Sequence, residues 1–218
     1  LEAGRREIDD MRAPARGAVR LAFLHSFGLG LVPELISGFR IENPEARFTL
    51  TQDAAATVVG HVVDGEADLA IVAPRPMRTD MAWARVAEQK LALVVPREHR
   101  FAGRDQIGIV EAGDEEFIVM QHGYGMRRIF DEICAAHDLN PAIAFESSEL
   151  ATVSGLVAAG LGVGVVPVEE SVRHPGVELI PLAGESREIG LTWFRGRPLS
   201  DVASRFRDFV VARSTDVR

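Results

Sequence analysis

Apolar residues change their period partway along Thr152–Pro167, TVSGLVAAGLGVGVVP. Val153, Leu156, Val157 and Leu161 recur at helical spacing, whereas Val163, Val165 and Val166 form a short run that Pro167 closes. Between them stand Gly160 and Gly162, residues free of the Cβ penalty where a helix end requires positive φ. The pattern predicts a helix, a tight glycine turn and a buried strand. A dinucleotide-binding loop has the opposite polarity, strand then glycines then helix, because the pyrophosphate sits on a helix N-terminus. Gly160, Gly162 and Gly164 therefore read as a structural αβ turn and not as a phosphate cradle.

The rest of the chain alternates in the same way. Val19–Phe23 reads as a buried strand, Ser26 to Gly28 as a turn and Leu29 to Ile41 as a helix. Pro33 falls in that helix's first turn, where its missing N–H costs little, and Asn43-Pro44 stops it. Phe48 and Leu50 alternate with polar residues as a second strand. Thr57–Val63 is a helix ended by Gly65, Leu69–Val72 a third strand, and Trp83–Val86 and Leu91–Val95 two more, closed by Pro96. From there the pattern restarts. Phe117–Met120 reads as a strand, Gly123-Tyr124-Gly125 as a turn, and Arg127–His137 as a helix with Ile129, Phe130 and Ile133 on one face. Ile143–Phe145, Val177–Ile180 and Ile189–Phe194 read as strands, and Ser200 as the N-cap of a last helix, Val202–Ala212. Two runs of alternating strands and helices predict two α/β subdomains with mostly parallel sheets.

Composition narrows the picture further. At 218 residues, 47% apolar and 26% charged, the sequence is that of an ordinary globular protein with one large domain or two small ones. No apolar run approaches the roughly 20 residues of a membrane helix, and LEAGRREIDDMR at the start is charged, without the apolar core of an export signal. Cys134 stands alone, which excludes an internal disulfide and fits a reducing compartment; the cytoplasm is the expected location. A net charge of −8 argues against this chain itself gripping nucleic acid, where phosphate neutralisation dominates.

Catalytic patterns are weak. His25, His61, His99, His122, His137 and His174 are dispersed with no H-x-x-x-H pair, so neither a metal nor another cofactor is expected. There is no G-x-S-x-G elbow and no G-x-x-x-x-G-K-[ST] loop. Cys134 falls mid-helix beside Ile133 and reads as a buried, inert thiol.

Two turns carry more. His25-Ser26-Phe27-Gly28 and Gln121–Met126 each lead from a strand's carboxyl end to a helix N-terminus. Crevices outside those strand ends are where open α/β sheets bind ligands, and helix N-termini there offer unpaired N–H groups suited to a carboxylate. Ser26 is read as a hydroxyl donor to such an anion or as a helix cap, and the two are compatible. His25 is either a ligand contact or a packed turn residue. Phe27 and Tyr124 either wall a pocket or belong to the core. Arg127 opens its helix, where a cation opposes the dipole, and so reads as an anion partner or a solvated surface arginine. Ala73-Pro74-Arg75 and Ser148-Glu149-Leu150 follow strands and line the same crevice, and Thr152 is another candidate hydroxyl donor. The candidate ligand set is therefore His25, Ser26, Phe27, Ala73, Gly123, Tyr124, Gly125, Arg127, Glu149 and Thr152.

LVAAGLGVGVVP also resembles the signature near the end of the second subdomain in LysR-type transcriptional regulators, within their effector-binding domain. GAVRLAFLHSFG with Val32-Pro33, FRIENPEARFTL, DGEADLAIV, LALVVPREHRFAG, MRRIFDEIC and RPLSDVASRFRDFV match in the expected order, covering about Arg16 to Val211. The resemblance implies a periplasmic-binding-protein-like architecture of two Rossmann-like subdomains, with a small, anionic effector bound between them and no catalysis. It implies that 1–16 is the end of a linker helix, that 17–95 and 192–218 form subdomain I, and that 96–191 form subdomain II. Hinges are then expected near Val95–Arg97 and Gly190–Trp193. It further implies a homodimer or homotetramer, the Leu31–Ile41 helix of one chain meeting the Arg127–His137 helix of another with Ile36, Phe39 and Arg40 on the seam. DNA would be met by a helix-turn-helix upstream of Leu1; the alternative is a charged tail on a complete protein. A transporter's solute-binding protein and a two-lobed enzyme acting on a small acid are the other readings of the same architecture.

Overall fold

The computed structural model describes residues 17–169 and 172–216. The chain divides into two compact α/β units, one holding the residues up to Ala87 and from Ile189 onward, the other Glu88–Glu188. The linker stub read at 1–16 lies outside the described residues.

Unit 1 begins with β1 (Ala18–Leu24), α1 (Leu31–Glu42), β2 (Arg47–Asp53), α2 (Ala55–Asp64) and β3 (Leu69–Val72). β1 pairs parallel with both neighbours, Leu24 level with Asp53 and Phe23 level with Ile71. Its near-continuous apolar run is what a central parallel strand needs, covered on both faces. Pro33 sits in the first turn of α1, whose inward stripe is Val32, Leu35 and Phe39. Gly65, at φ 79°, ends α2. The chain returns late in its sequence through α5 (Asp201–Asp216), begun by Ser200, whose Oγ accepts Ala203 N–H at 3.3 Å. Phe39, Phe48, Phe206 and Phe209 then meet at ring-centroid distances of 5.0–6.5 Å, three elements sharing one aromatic core.

Unit 2 holds β5 (Glu116–Met120), α3 (Gly125–Ala136), β6 (Ala142–Ser147), α4 (Leu150–Ala158) and β7 (Gly164–Pro167). β5 and β6 are parallel, with Met120 opposite Ser147. The order helix, glycine turn, strand holds between α4 and β7, with Gly160 at φ 77° and Gly162 at φ 144°. Gly162 has a second reason to lack a side chain, since a Cβ there would stand 2.5 Å from Glu116 O.

Two expectations need correction. Trp83–Val86 and Leu91–Val95 are one strand, β4 (Met81–Pro96), and Val177–Ile180 and Ile189–Phe194 are one strand, β8 (Val177–Phe194). Polar residues interrupt both apolar runs, but a paired strand keeps its ladder whatever its solvent face carries. β8 pairs antiparallel with β3 and β4 with β7, and β8 and β4 are neighbours in the sheet order β2-β1-β3-β8-β4-β7. The unit divisions fall inside these strands, at 87/88 and 188/189.

Candidate functional site

In unit 1, Leu24, Asp53 and Val72 end at one level of the parallel sheet, so the segments that follow share its carboxyl edge. His25–Phe27 form a single 3-10 turn closed by Gly28 N–H donating to His25 O at 3.2 Å. His25 is exposed and Ser26 half-buried there. Phe27 is 2% exposed and belongs to the core of unit 1. Ser26 does not cap the following helix: α1 starts from Gly30, which has no side-chain cap. Ala73, fully buried, offers little surface of its own. Gln52, which the sequence reading passes over, lays its amide against Gly28, where any Cβ would collide with it. Its position one residue before the end of β2 was the available signal.

In unit 2 the parallel pair β5–β6 brings two strand-to-helix turns side by side. Gln121 N–H donates to Ser147 O at 2.9 Å, joining the two turns at their base. The Gln121–Tyr124 turn passes through Gly123 at φ 92° into α3, and Tyr124 O receives the N–H groups of Arg127 and Arg128 at 3.2 and 3.3 Å. Ser147 Oγ accepts Glu149 N–H at 3.2 Å and shapes the entry to α4. Neither α3 nor α4 has a side-chain cap or an acidic residue in its first turn. Two helix N-termini with their N–H groups and partial positive charge therefore stand at one edge. Gly123, Glu149 and Thr152 are exposed at that edge, Tyr124 is half-buried against the unit 2 core, and Gly125 is buried.

Arg127 is placed differently from expectation. It is 7% exposed, neither a solvated surface group nor an open anion receptor. Its Nε donates to Asp131 at 3.0 Å, and Nη1 donates to Glu146 at 2.5 Å and to Met120 O at 3.3 Å. Burial opposes the charge, but the bonds to Glu146 and Asp131 outweigh it and hold the guanidinium above its ordinary pKa. The misfit of a cation at a helix start is thus answered by the protein's own carboxylates.

Cys134 is buried, and burial together with nearby Asp131 pushes its thiol up to about 11. Among the described residues no group of His, Cys, Asp and Glu side chains is arranged to hold a metal ion. No described helix is long and apolar enough to cross a membrane. On the outer face of α1, Pro33, Ile36, Ser37, Arg40, Ile41 and Pro44 line an open groove of about 470 Å³. Phe39, expected on that seam, is 1% exposed and packs inward.

Residues 12–215 match the model of the LysR substrate binding domain. The chain is 33% identical over 215 residues to the HTH-type transcriptional regulator YybE of Bacillus subtilis (strain 168), covering 98% of this chain and 74% of that protein. Its fold is similar to the effector binding domain of QuiR in complex with shikimate, with a TM-score of 0.87, 24% identity, and 93% and 99% of the two chains covered. It is likewise similar to the regulatory domain of Synechocystis PCC6803 CcmR in complex with 2-PG, at TM-score 0.82, 21% identity, and 92% and 99% coverage. These relatives are transcriptional regulators and their effector domains, not enzymes. The chain belongs to the LysR substrate binding domain family and is the effector-binding domain of a LysR-type transcriptional regulator.

Proposed function

We propose that the effector is a small organic anion, a carboxylate with an apolar portion. Its contacts come from the turns Gln121–Gly125 and Ser147–Thr152 of unit 2. The observation that carries this reading is the pair of uncapped helix N-termini, α3 and α4, set side by side with no acidic residue in either first turn. A carboxylate there receives N–H donors and a favourable dipole. Thr152 adds a hydroxyl donor, and the Tyr124 ring faces the apolar portion. Arg127 is left out of this set, because its acceptors are already Glu146, Asp131 and Met120 O. Shikimate and 2-PG, held by QuiR and CcmR, are themselves small anions. Effector binding acts on transcription through differential affinity for two states of the regulator, with DNA met by an upstream helix-turn-helix and the whole working in the cytoplasm.

A thermal-shift screen of small acids tests this, because a ligand that binds only the native state raises its apparent stability. Stabilisation is expected to fall on Thr152→Val and on Gly125→Leu. A hit whose stabilisation survives both substitutions refutes the site.

We further propose that the domain assembles with a second copy through the outer face of α1 against α3 of its partner. Ile41 is 81% exposed beside the α1 groove, and Ile143 and Phe145 are 42% and 44% exposed on β6 of unit 2.

A further inference from the structure

The chain passes between its units twice, through β4 and β8, and these neighbouring strands are cross-linked by side chains on both sides of the divisions. On the unit 1 side, Thr192 Oγ1 donates to Ala82 O at 2.6 Å, and the Trp83 indole occupies the place a Cβ at Gly190 would take. On the unit 2 side, Ser186 Oγ donates to Glu88 Oε1 at 2.6 Å and Arg187 Nε to Gln89 Oε1 at 2.8 Å. Residues 186 and 187 thus meet 88 and 89, while 190 and 192 meet 83 and 82, so the two divisions face each other across the strand pair.

Arg187 is the unusual member. It is 3% exposed, and burial pushes its guanidinium down to about 10. Nη2 reaches Glu169 Oε2 at 3.3 Å, and Gln89 Nε2 donates to the same oxygen at 3.2 Å, closing a polar triangle over β4, β8 and the segment after β7. Gln89 Nε2 also reaches Val168 O at 3.3 Å. A buried ion pair adds little stability over apolar side chains of similar volume. It adds direction instead, because the guanidinium fork bonds only where its acceptors stand. A one-residue slip of a strand turns every side chain to the opposite face. Slipping β8 along β4 would put Ser186 or Glu188 where Arg187 now meets Gln89.

We propose that Arg187, with Gln89 and Glu169, is a register lock that holds β8 against β4, so that the two strands open together and not independently. Amide hydrogen exchange on the whole chain, run beside urea unfolding, tests this with two variants. Arg187→Leu/Glu169→Leu removes both members of the ion pair, whereas Gln89→Leu keeps the pair and removes the Gln89 bonds that tie it to β4. In both, exchange in 81–96 and 177–194 is expected to rise roughly tenfold or more relative to β1 and α3. Native exchange in those strands, or an equal loss of protection throughout the chain, overturns the proposal. If the double variant does not fold, Gln89→Leu decides it alone.

Discussion

Arg127 Nη1 donates to Glu146 Oε1 at 2.5 Å and to Met120 O at 3.3 Å, so one guanidinium joins α3, β6 and the end of β5 around the Gln121–Tyr124 turn. The contact accounts for a cation in the first turn of a helix, a place where the dipole disfavours it. It also makes Arg127 a support of the turn. Glu146 is 42% exposed and hydrates readily once its partner is gone, which limits the cost of losing the pair.

Arg127→Met is accordingly expected to lower unfolding stability by about 1–3 kcal/mol in urea titrations. Arg127→Lys should recover less than half of the loss, because one ammonium cannot reach the three acceptors a guanidinium serves. A lysine variant of native stability with sharply weakened effector binding would instead make Arg127 a direct ligand contact.

The glycine turn before β7 separates two kinds of glycine. At Gly160, φ is 77° and the space where a methyl group would sit is open, so Gly160→Ala is expected to cost about 1 kcal/mol, the conformational penalty alone. At Gly162 the backbone is strained for any side chain and Glu116 O stands 2.5 Å from the Cβ site. Gly162→Ala is expected to cost about 3 kcal/mol or more. Equal urea midpoints for the two variants would contradict this distinction.

Cys134 should be a slow nucleophile. Raising a thiol from its ordinary 9.0 to about 11 lowers the thiolate fraction near pH 8 roughly a hundredfold. Labelling by an aromatic disulfide reagent should be correspondingly slow and should accelerate as pH rises toward 11. The folded thiol holds its proton more tightly than the unfolded one, so its contribution to stability is intact below about pH 9 and is lost between about 9 and 11. Labelling at the rate of a free cysteine at pH 8 would exclude this environment.

Ile41 offers a test of assembly that leaves the fold alone. It is 81% exposed, so Ile41→Asp is expected to change the unfolding free energy by no more than about 0.5 kcal/mol. Light scattering at micromolar concentration should give a dimer or larger for the native chain and a smaller mass for the variant. A native chain that is strictly monomeric there counts against pairing through α1.

Local order was legible because its causes are local. Pro33 in the first turn of α1, Gly65 ending α2, Ser200 capping α5 and the glycine turn into β7 each follow from what a residue type permits its own backbone. The alternation of strands and helices then determined two α/β units, since parallel strands require helical crossovers. Continuity of β4 and β8 was not legible, because residues such as Glu88 and Lys90 interrupt the apolar run while the ladder to neighbouring strands continues. Nor did periodicity say which apolar residues near a turn go inward: Phe27 and Phe39 both went to the core of unit 1, Phe39 against Phe206 and Phe209 of α5. The decisive side-chain pairings are longer in range still. Arg127 meets Glu146 nineteen positions away, and Arg187 meets Gln89 at a separation of 98. Such partners are chosen by which strands lie side by side, and strand order is settled only when the whole chain has packed, because the energy of a buried charge depends on every group within a few ångströms of it.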